Sequence, residues 1–320
     1  MILVTGATGF VGKSVVHRFL ADDPTQLIAV AVRRGGLPLP GRVLSRVTGD
    51  LEPFTDWTVA LQSVSAVVHC AARVHVMAET AADPLEEFRR INVQGTLNLA
   101  RQAAAAGVRR FVFVSSIKVN GEATQLGRPF TADDAPSPRD AYALTKMEAE
   151  EGLREIARQA GMEVVIIRPP LVYGPGVKAN FALMMRWLQR GVPLPLGGLH
   201  NQRSLVSLDN LVDLIVICLT HPLAANQTFL VSDGEDVSTT ELLRRMGQAL
   251  GRPVRLIAVP ASWLKRAAAI MGKQYVAQRL CDSLQVCIVK TRCLLGWTPP
   301  LSLDEGLIKA AKGLQVEAKF

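Results

Sequence analysis

Short β-branched runs alternate with helical stretches through the first half of the chain. Ile2–Thr5, Leu27–Val32, Val64–Cys70, Phe111–Ser115 and Val164–Ile167 are close to continuous apolar runs. Between them, Gly12–Leu20, Phe88–Ala105 and Ala141–Ala160 repeat apolar residues at helical spacing. Strands without an apolar/polar alternation are buried on both faces, and helical crossovers make their neighbours parallel. The pattern predicts an α/β fold built on a doubly wound parallel sheet. Ligands of such sheets bind beyond the carboxyl ends of the strands.

After Arg168-Pro169-Pro170 the rhythm loosens, and proline and glycine become more frequent. Helices are expected over Ala182–Arg190, Asn210–Leu219, Thr239–Leu250 and Ser302–Leu314, separated by loops such as Gly191–Gly198. The reading is a nucleotide-binding unit over 1–170 and a mainly substrate-binding, smaller lobe over 171–320. The border is soft, and it leaves room for segments of the second part to return to the first. Trp263–Met271 fits either an amphipathic helix at a membrane surface or a helix of the second lobe. The second is the expectation taken.

The 320 residues are 49% apolar and 20% charged, which provides a sizeable core and excludes a disordered chain. A net charge of +8 suits anionic ligands. No block of Lys/Arg stands out, and aromatics make up only 5% of the chain, so no nucleic-acid partner is expected. The five cysteines form no CxxC pair and read as reduced thiols of a cytoplasmic protein. The six-residue spacing of Cys281, Cys287 and Cys293 suits neither a metal nor a redox pair, so these are assigned to the core. A strand beginning at Ile2 leaves no room for a leader peptide. The apolar run Leu211–Leu219 is too short to span a bilayer.

Gly6-Ala7-Thr8-Gly9-Phe10-Val11-Gly12 follows the first strand and opens the first helix. Glycines there let the backbone approach a pyrophosphate, and the helix supplies free N–H groups and the positive end of its dipole. This context makes the sheet a Rossmann dinucleotide-binding fold. NAD-preferring versions carry a carboxylate at the end of the second strand, where this chain has Val32-Arg33-Arg34-Gly35. Two guanidiniums can grip a 2′-phosphate, which favours NADP(H) and leaves NAD(H) open.

Tyr142 and Lys146 stand four residues apart, on one face of the Ala141–Ala160 helix. A free phenol has a pKa of about 10, and bringing it near neutrality takes about 4 kcal/mol. The adjacent ammonium is expected to contribute by favouring the phenolate. Phe111–Ser115 ends in hydroxyls, and Ser116 could hold a carbonyl that Tyr142 protonates.

In order along the chain stand Gly6/Gly9/Gly12, Gly49-Asp50-Leu51, His69-Cys70-Ala71-Ala72, Asn92-Val-Gln-Gly95-Thr96, Ser115-Ser116 and Tyr142-xxx-Lys146. They continue with Arg168-Pro-Pro-Leu-Val-Tyr-Gly-Pro175, Arg203–Asp209 and Leu295-Gly-Trp297. With these pieces the chain resembles an extended short-chain dehydrogenase/reductase of the nucleotide-sugar epimerase/dehydratase group. The resemblance implies that Tyr142 is the general acid/base, that Lys146 tunes it and holds the nicotinamide ribose, and that Ser116 binds the reacting oxygen. It further implies that Asp50 and Leu51 border the adenine. Ala71, Ala72 and Pro169 would lie along the cofactor. Asn180 and Arg203 would hold the diphosphate of a UDP-sugar. A homodimer is implied in the same way.

Dehydratases of this group carry an Asp-Glu pair after the serine, where this chain has Ile117-Lys118, so 4,6-dehydration is not expected. Ser116–Glu122 and Arg73–Met77 resemble bacterial reductases that act on the C4 ketone of UDP-4-keto-6-deoxy-N-acetylhexosamines, which feed surface polysaccharide. That NADPH-dependent reduction is the leading expectation. A UDP-hexose 4-epimerase with retained NAD is the alternative, and a dinucleotide sensor is the non-enzymatic one. His75 and Lys118 receive no role, and no metal site is expected.

Overall fold

The computed structural model describes residues 1–23, 25–35, 42–74 and 83–317. The chain opens with β1 (Ile2–Thr5), α1 (Phe10–Asp22), β2 (Ile28–Val32), β3 (Val43–Val47) and β4 (Ala66–His69). It continues through α2 (Pro84–Arg89), α3 (Thr96–Ala105), β5 (Arg110–Val114), α4 (Ala141–Ala160) and β6 (Glu163–Arg168). Next come β7 (Leu171–Tyr173), α5 (Ala179–Gln189), β8 (Arg203–Ser207), α6 (Leu208–Thr220), β9 (Thr228–Leu230) and β10 (Asp236–Val237). Five helices close the chain: α7 (Thr239–Ala249), α8 (Ala261–Ile270), α9 (Gln274–Cys281), α10 (Val289–Leu295) and α11 (Leu303–Glu317).

The main sheet has seven strands in the order β3-β2-β1-β4-β5-β6-β9, all paired in parallel. Successive side chains of each strand serve opposite faces. Leu3, Ala29, Val67, Phe111 and Ile166 pack under α3 and α4, against Leu99, Ala103 and Leu153. Val4, Val30, Val68, Val112 and Ile167 pack under α1 and α6, against Val15, Phe19, Leu211 and Leu214. Both faces are apolar because both are covered, as the unbroken apolar runs require. The Rossmann fold is therefore the one expected.

Several elements differ from the sequence reading. β3 is an edge strand with exposed Leu44, Ser45 and Val47, so its pattern lacks the apolar run that marks its neighbours. Phe88–Ala105 is not one helix: a wide π turn over Arg90–Gly95 separates α2 from α3. Asn92 is buried in that turn, accepting from the Arg73 N–H at 2.7 Å and donating to the Arg73 carbonyl at 3.0 Å. It thereby ties the crossover to the loop after β4. The second half is not only helical. β10, β8 and β7 form a small sheet, and α6 and β9 return to the first sheet. A third core built from Tyr173, Phe181, Met185, Leu243, Met246 and Leu307 supports the smaller lobe. Trp263–Met271 falls on α8, a helix of this lobe. Of the cysteines assigned to the core, Cys281 and Cys287 are half-buried and Cys293 is exposed on α10, because its helix turns that position outward. All five are free, and the described residues hold no His/Cys/Asp/Glu group arranged for a metal. No described helix is long and apolar enough to cross a membrane.

A buried polar cluster joins β5, α4 and β6. Glu150 has no solvent exposure, and Arg168 is 2% exposed. The Arg168 guanidinium donates from Nε to Glu150 Oε1 at 2.9 Å and from Nη2 to Oε2 at 2.5 Å. Ser115 adds a 2.6 Å hydrogen bond to Oε1, Arg154 adds a 3.0 Å bond to Oε2, and Arg168 Nη1 reaches the Asn120 amide oxygen at 2.9 Å. Every partner is needed, since a buried charge without one is costly. Glu150→Ala strands the Arg168 charge and is expected to lower the unfolding free energy by about 3–5 kcal/mol in a urea titration. A variant as stable as the wild type would contradict this role.

Candidate active site

Gly6 has a left-handed φ of +67°, and a Cβ there would stand 2.7 Å from the backbone nitrogen of Ala71. A Cβ on Gly12 would stand 2.3 Å from the Gly6 carbonyl oxygen. The first loop is thus pressed onto the strand end that carries Ala71, and α1 starts directly above it. Gly9 is the N-cap of α1 and contributes no side chain, so the N–H groups of the first turn stay open to an anion. Thr8 and Gly9 are exposed at this loop, and Phe10 and Val11 are half-buried beside it. These features fit a dinucleotide pyrophosphate.

Arg33 and Arg34 stand exposed just beyond β2. Arg33 is not a free cation: its guanidinium lies 3.7 Å from the Asp50 carboxylate, with the two side chains 79% and 66% exposed. Asp50 thus stands beside Arg33 just beyond the end of β2. An exposed pair of this kind holds little energy and can open for a ligand. Leu51 is half-buried against Gly95, where a Cβ would approach it to 2.9 Å.

Asp140 caps α4, accepting from the Ala143 N–H at 2.7 Å. Tyr142, Lys146 and Glu150 follow at four-residue steps, one stripe facing the strand ends. Lys146 is buried and donates to the Val114 carbonyl at 2.9 Å, which holds α4 against the end of β5 just before Ser116. Its ammonium lies 4.3 Å from the Phe113 ring centroid and 6.0 Å from that of Tyr142. Burial lowers the pKa of Lys146 to about 8. The phenol of Tyr142 behaves opposite to the sequence expectation. Burial and then the Asp140 charge push its pKa above the ordinary tyrosine value. The physical reason is the aim of the ammonium: it is spent on the Val114 carbonyl and does not offset burial at the phenol.

Ser116 caps a short 3₁₀ turn over Ile117–Val119, accepting from the Lys118 N–H at 3.3 Å. Pro169 is buried and its carbonyl receives the Ile117 N–H at 3.0 Å, which fixes the same loop from β6. Lys118, given no role from sequence, bridges the Asp140 carboxylate and the Tyr275 hydroxyl of α9, the latter at 3.0 Å. It links the start of α4 to the smaller lobe. His69 closes β4 in full burial, 2.7 Å from the Thr5 hydroxyl and 2.9 Å from that of Thr96. It is a packing residue stacked on Phe113 and held neutral. Cys70 and half-buried Ala71 and Ala72 follow it, and burial raises the Cys70 thiol pKa to about 12. His75 and Met77 lie outside the described residues.

Arg203 leaves β8 half-buried and donates to the Asp282 carbonyl at 3.0 Å. Burial and the neighbouring Arg279 charge lower its pKa to about 10. With Arg279 beside it, Arg203 could hold a doubly charged anion. Arg279 escaped the sequence reading because it sits in no motif and meets Arg203 only through packing. Asn180 was expected beside Arg203. It stands exposed on the first turn of α5, with no side-chain hydrogen bond to another described residue.

The profile of the NAD dependent epimerase/dehydratase family matches residues 2–232. The chain belongs to this family. It is 49% identical to a UDP-glucose 4-epimerase of Vibrio cholerae, over 97% of this chain and 94% of that one. A solved structure of MoeE5 with UDP-glucose and NAD is 26% identical, covers 99% of both chains and superposes with a TM-score of 0.76. The UDP-glucuronic acid 4-epimerase of Bacillus cereus, solved with NAD, has a TM-score of 0.78 over 98% of this chain and 96% of its own; at 20% identity it speaks for the fold alone. This member of the epimerase/dehydratase family is accordingly an NAD(P)-dependent enzyme.

Burial, and next the Lys146 charge, depress the His69 pKa to about 3, against 6.5 for an exposed histidine. Below pH 6.5 the unfolded chain takes up a proton that the folded chain refuses, so stability falls as pH falls toward 3. The expected slope from this residue is about 1.4 kcal/mol per pH unit. Urea unfolding of wild type and His69→Asn between pH 6.5 and 5 should differ by that slope; equal slopes would mean that His69 is protonated in the fold.

Proposed function

We propose that this enzyme inverts C4 of a UDP-hexose. The observation that carries the reading is the 49% identity, over nearly the whole length, to a protein named UDP-glucose 4-epimerase. Tyr142, Lys146 and Ser116 at the strand ends supply the side chains that such chemistry needs. Gly6, Thr8, Gly9, Phe10, Val11 and Gly12 would hold the pyrophosphate of the dinucleotide. Asp50, Leu51, Arg33 and Arg34 would hold its adenosine end, and Ala71, Ala72, Pro169 and Lys146 its nicotinamide end. When bound, the dinucleotide supplies the hydride acceptor and donor and, in its oxidised form, a positive ring charge.

Tyr142 takes the proton of the C4 hydroxyl as hydride leaves C4, and the sugar becomes a 4-ketone. Ser116 donates a hydrogen bond to the same oxygen. After the ketone has turned its other face, Tyr142 returns the proton as C4 regains hydride. Hydrogen bonds that strengthen as charge develops on that oxygen lower the barrier. Because the phenol pKa is high in the chain alone, Tyr142 becomes a competent base only in the loaded enzyme. Arg203 and Arg279 hold the UDP diphosphate, and the position of Asn180 at the head of α5 puts it on the same lobe.

One observation favours a second reading, reduction of a UDP-4-keto-6-deoxy-N-acetylhexosamine by NADPH. The residue directly after β2 is Arg33, which suits a 2′-phosphate. The nearby Asp50 carboxylate suits the ribose hydroxyls of NAD instead, so the two side chains of one pair argue for different cofactors.

UDP-glucose incubated with the enzyme and NAD should yield UDP-galactose without net change in absorbance at the NADH band. Consumption of NADPH on addition of the keto sugar, with no epimer formed from UDP-glucose, would replace the epimerase by the reductase. Tyr142→Phe should lose about a hundredfold or more in turnover with dinucleotide binding retained. Wild-type turnover in that variant would remove Tyr142 from the chemistry. Arg33→Asp should weaken NADPH binding more than NADH binding, measured by fluorescence titration; equal losses would mean that Arg33 does not read the 2′-phosphate.

A further inference from the structure

Between Leu242 and Cys281 lie eight of the chain's 36 Lys and Arg and none of its 28 Asp and Glu. This stretch therefore carries the whole +8 charge, and the rest of the chain is balanced. Three of the eight are neutralised by neighbours. Arg244 and Arg245 meet Glu241, Arg245 also meets Glu235, and Lys265 meets Asp282. Arg252, Arg255, Arg266, Lys273 and Arg279 are exposed and have no ion pair among the described residues.

The same stretch contains the helical hairpin α8–α9. Ala261, Leu264, Leu280 and Cys281 seat it on the core of the smaller lobe. Ala268 and Ala277 are its buried residues. The large apolar side chains point away: Trp263 is 67% exposed, Ile270 88% and Met271 62%. Ile257, ahead of α8, and Val276 on α9 are exposed as well. Trp263, Arg266 and Ile270 recur at helical spacing, so one outer face of α8 combines an aromatic, a cation and an aliphatic residue. Large apolar groups left bare on a folded surface mark a place of contact.

We infer that the α8–α9 hairpin docks this enzyme onto an anionic lipid surface, with Trp263, Ile270 and Met271 entering the headgroup–acyl boundary and Arg266 and Lys273 meeting lipid phosphates. The charge selects this occupant. A second copy joined through the same patch on a two-fold axis would set like charges against each other. A nucleic acid would satisfy the cations but would offer nothing to Ile270 and Met271. A bilayer with acidic headgroups satisfies both sets, and a helix that lies on it needs a basic face beside an apolar one. The hairpin also carries Tyr275, whose hydroxyl meets Lys118 at the catalytic rim, so docking would orient the site toward the lipid surface.

The test is flotation of the full-length chain with vesicles of phosphatidylcholine and phosphatidylglycerol in equal parts, beside vesicles of phosphatidylcholine alone. The chain should float with the first and not with the second, and should be released near 1 M salt, where charges are screened within about 3 Å. Arg266→Glu with Lys273→Glu should weaken binding at least about tenfold. Trp263→Ser with Ile270→Ser should do the same with the charge intact, and both double variants should melt and turn over like the wild type. No flotation with the acidic vesicles overturns the proposal. So does undiminished binding by either double variant, tighter binding to duplex DNA than to the vesicles, or a dimer that both variants abolish in place of vesicle binding.

Discussion

The Glu150–Arg168 ion pair is the interaction on which the carboxyl end of the sheet around α4 depends. Glu150 belongs to the helix that carries Tyr142 and Lys146, and Arg168 closes β6. Their forked contact, with Ser115 and Asn120 completing it, binds that helix to two strand ends and to the loop after Ser116. A charge pair without solvent exposure tolerates no slack, because separation would leave each charge in a low-dielectric interior. The arrangement fixes the register of α4 over β5, and Lys146 can then reach the Val114 carbonyl.

Burial has a second consequence at the same place. It lowers the Lys146 pKa, raises that of Tyr142 and keeps His69 neutral. The chain by itself thus holds a protonated phenol beside an ammonium already engaged by a backbone oxygen. The chain alone therefore supplies no lowered phenol pKa at this position. The smaller lobe adds a different electrostatic feature, the neighbouring guanidiniums of Arg203 and Arg279.

The sequence by itself determined the five central strands of the sheet, their parallel sense and the position of the glycine loop after β1. These rest on local properties: apolar runs for strands buried on both faces, glycines where a Cβ would strike backbone, and a tyrosine and lysine one helical turn apart. It was silent on β3, whose half-exposed edge carries too few apolar residues to signal a strand. It was also silent on the small sheet β10-β8-β7, whose strands are short. Only the tertiary structure decided that Arg33 meets Asp50, that Arg279 stands beside Arg203, that Lys118 joins Asp140 to Tyr275, and that Lys146 turns from the phenol to Val114. The physical reason is that a pKa or an ion pair depends on which side chains the fold brings together and on how much water remains around them. Spacing along one helix cannot report that.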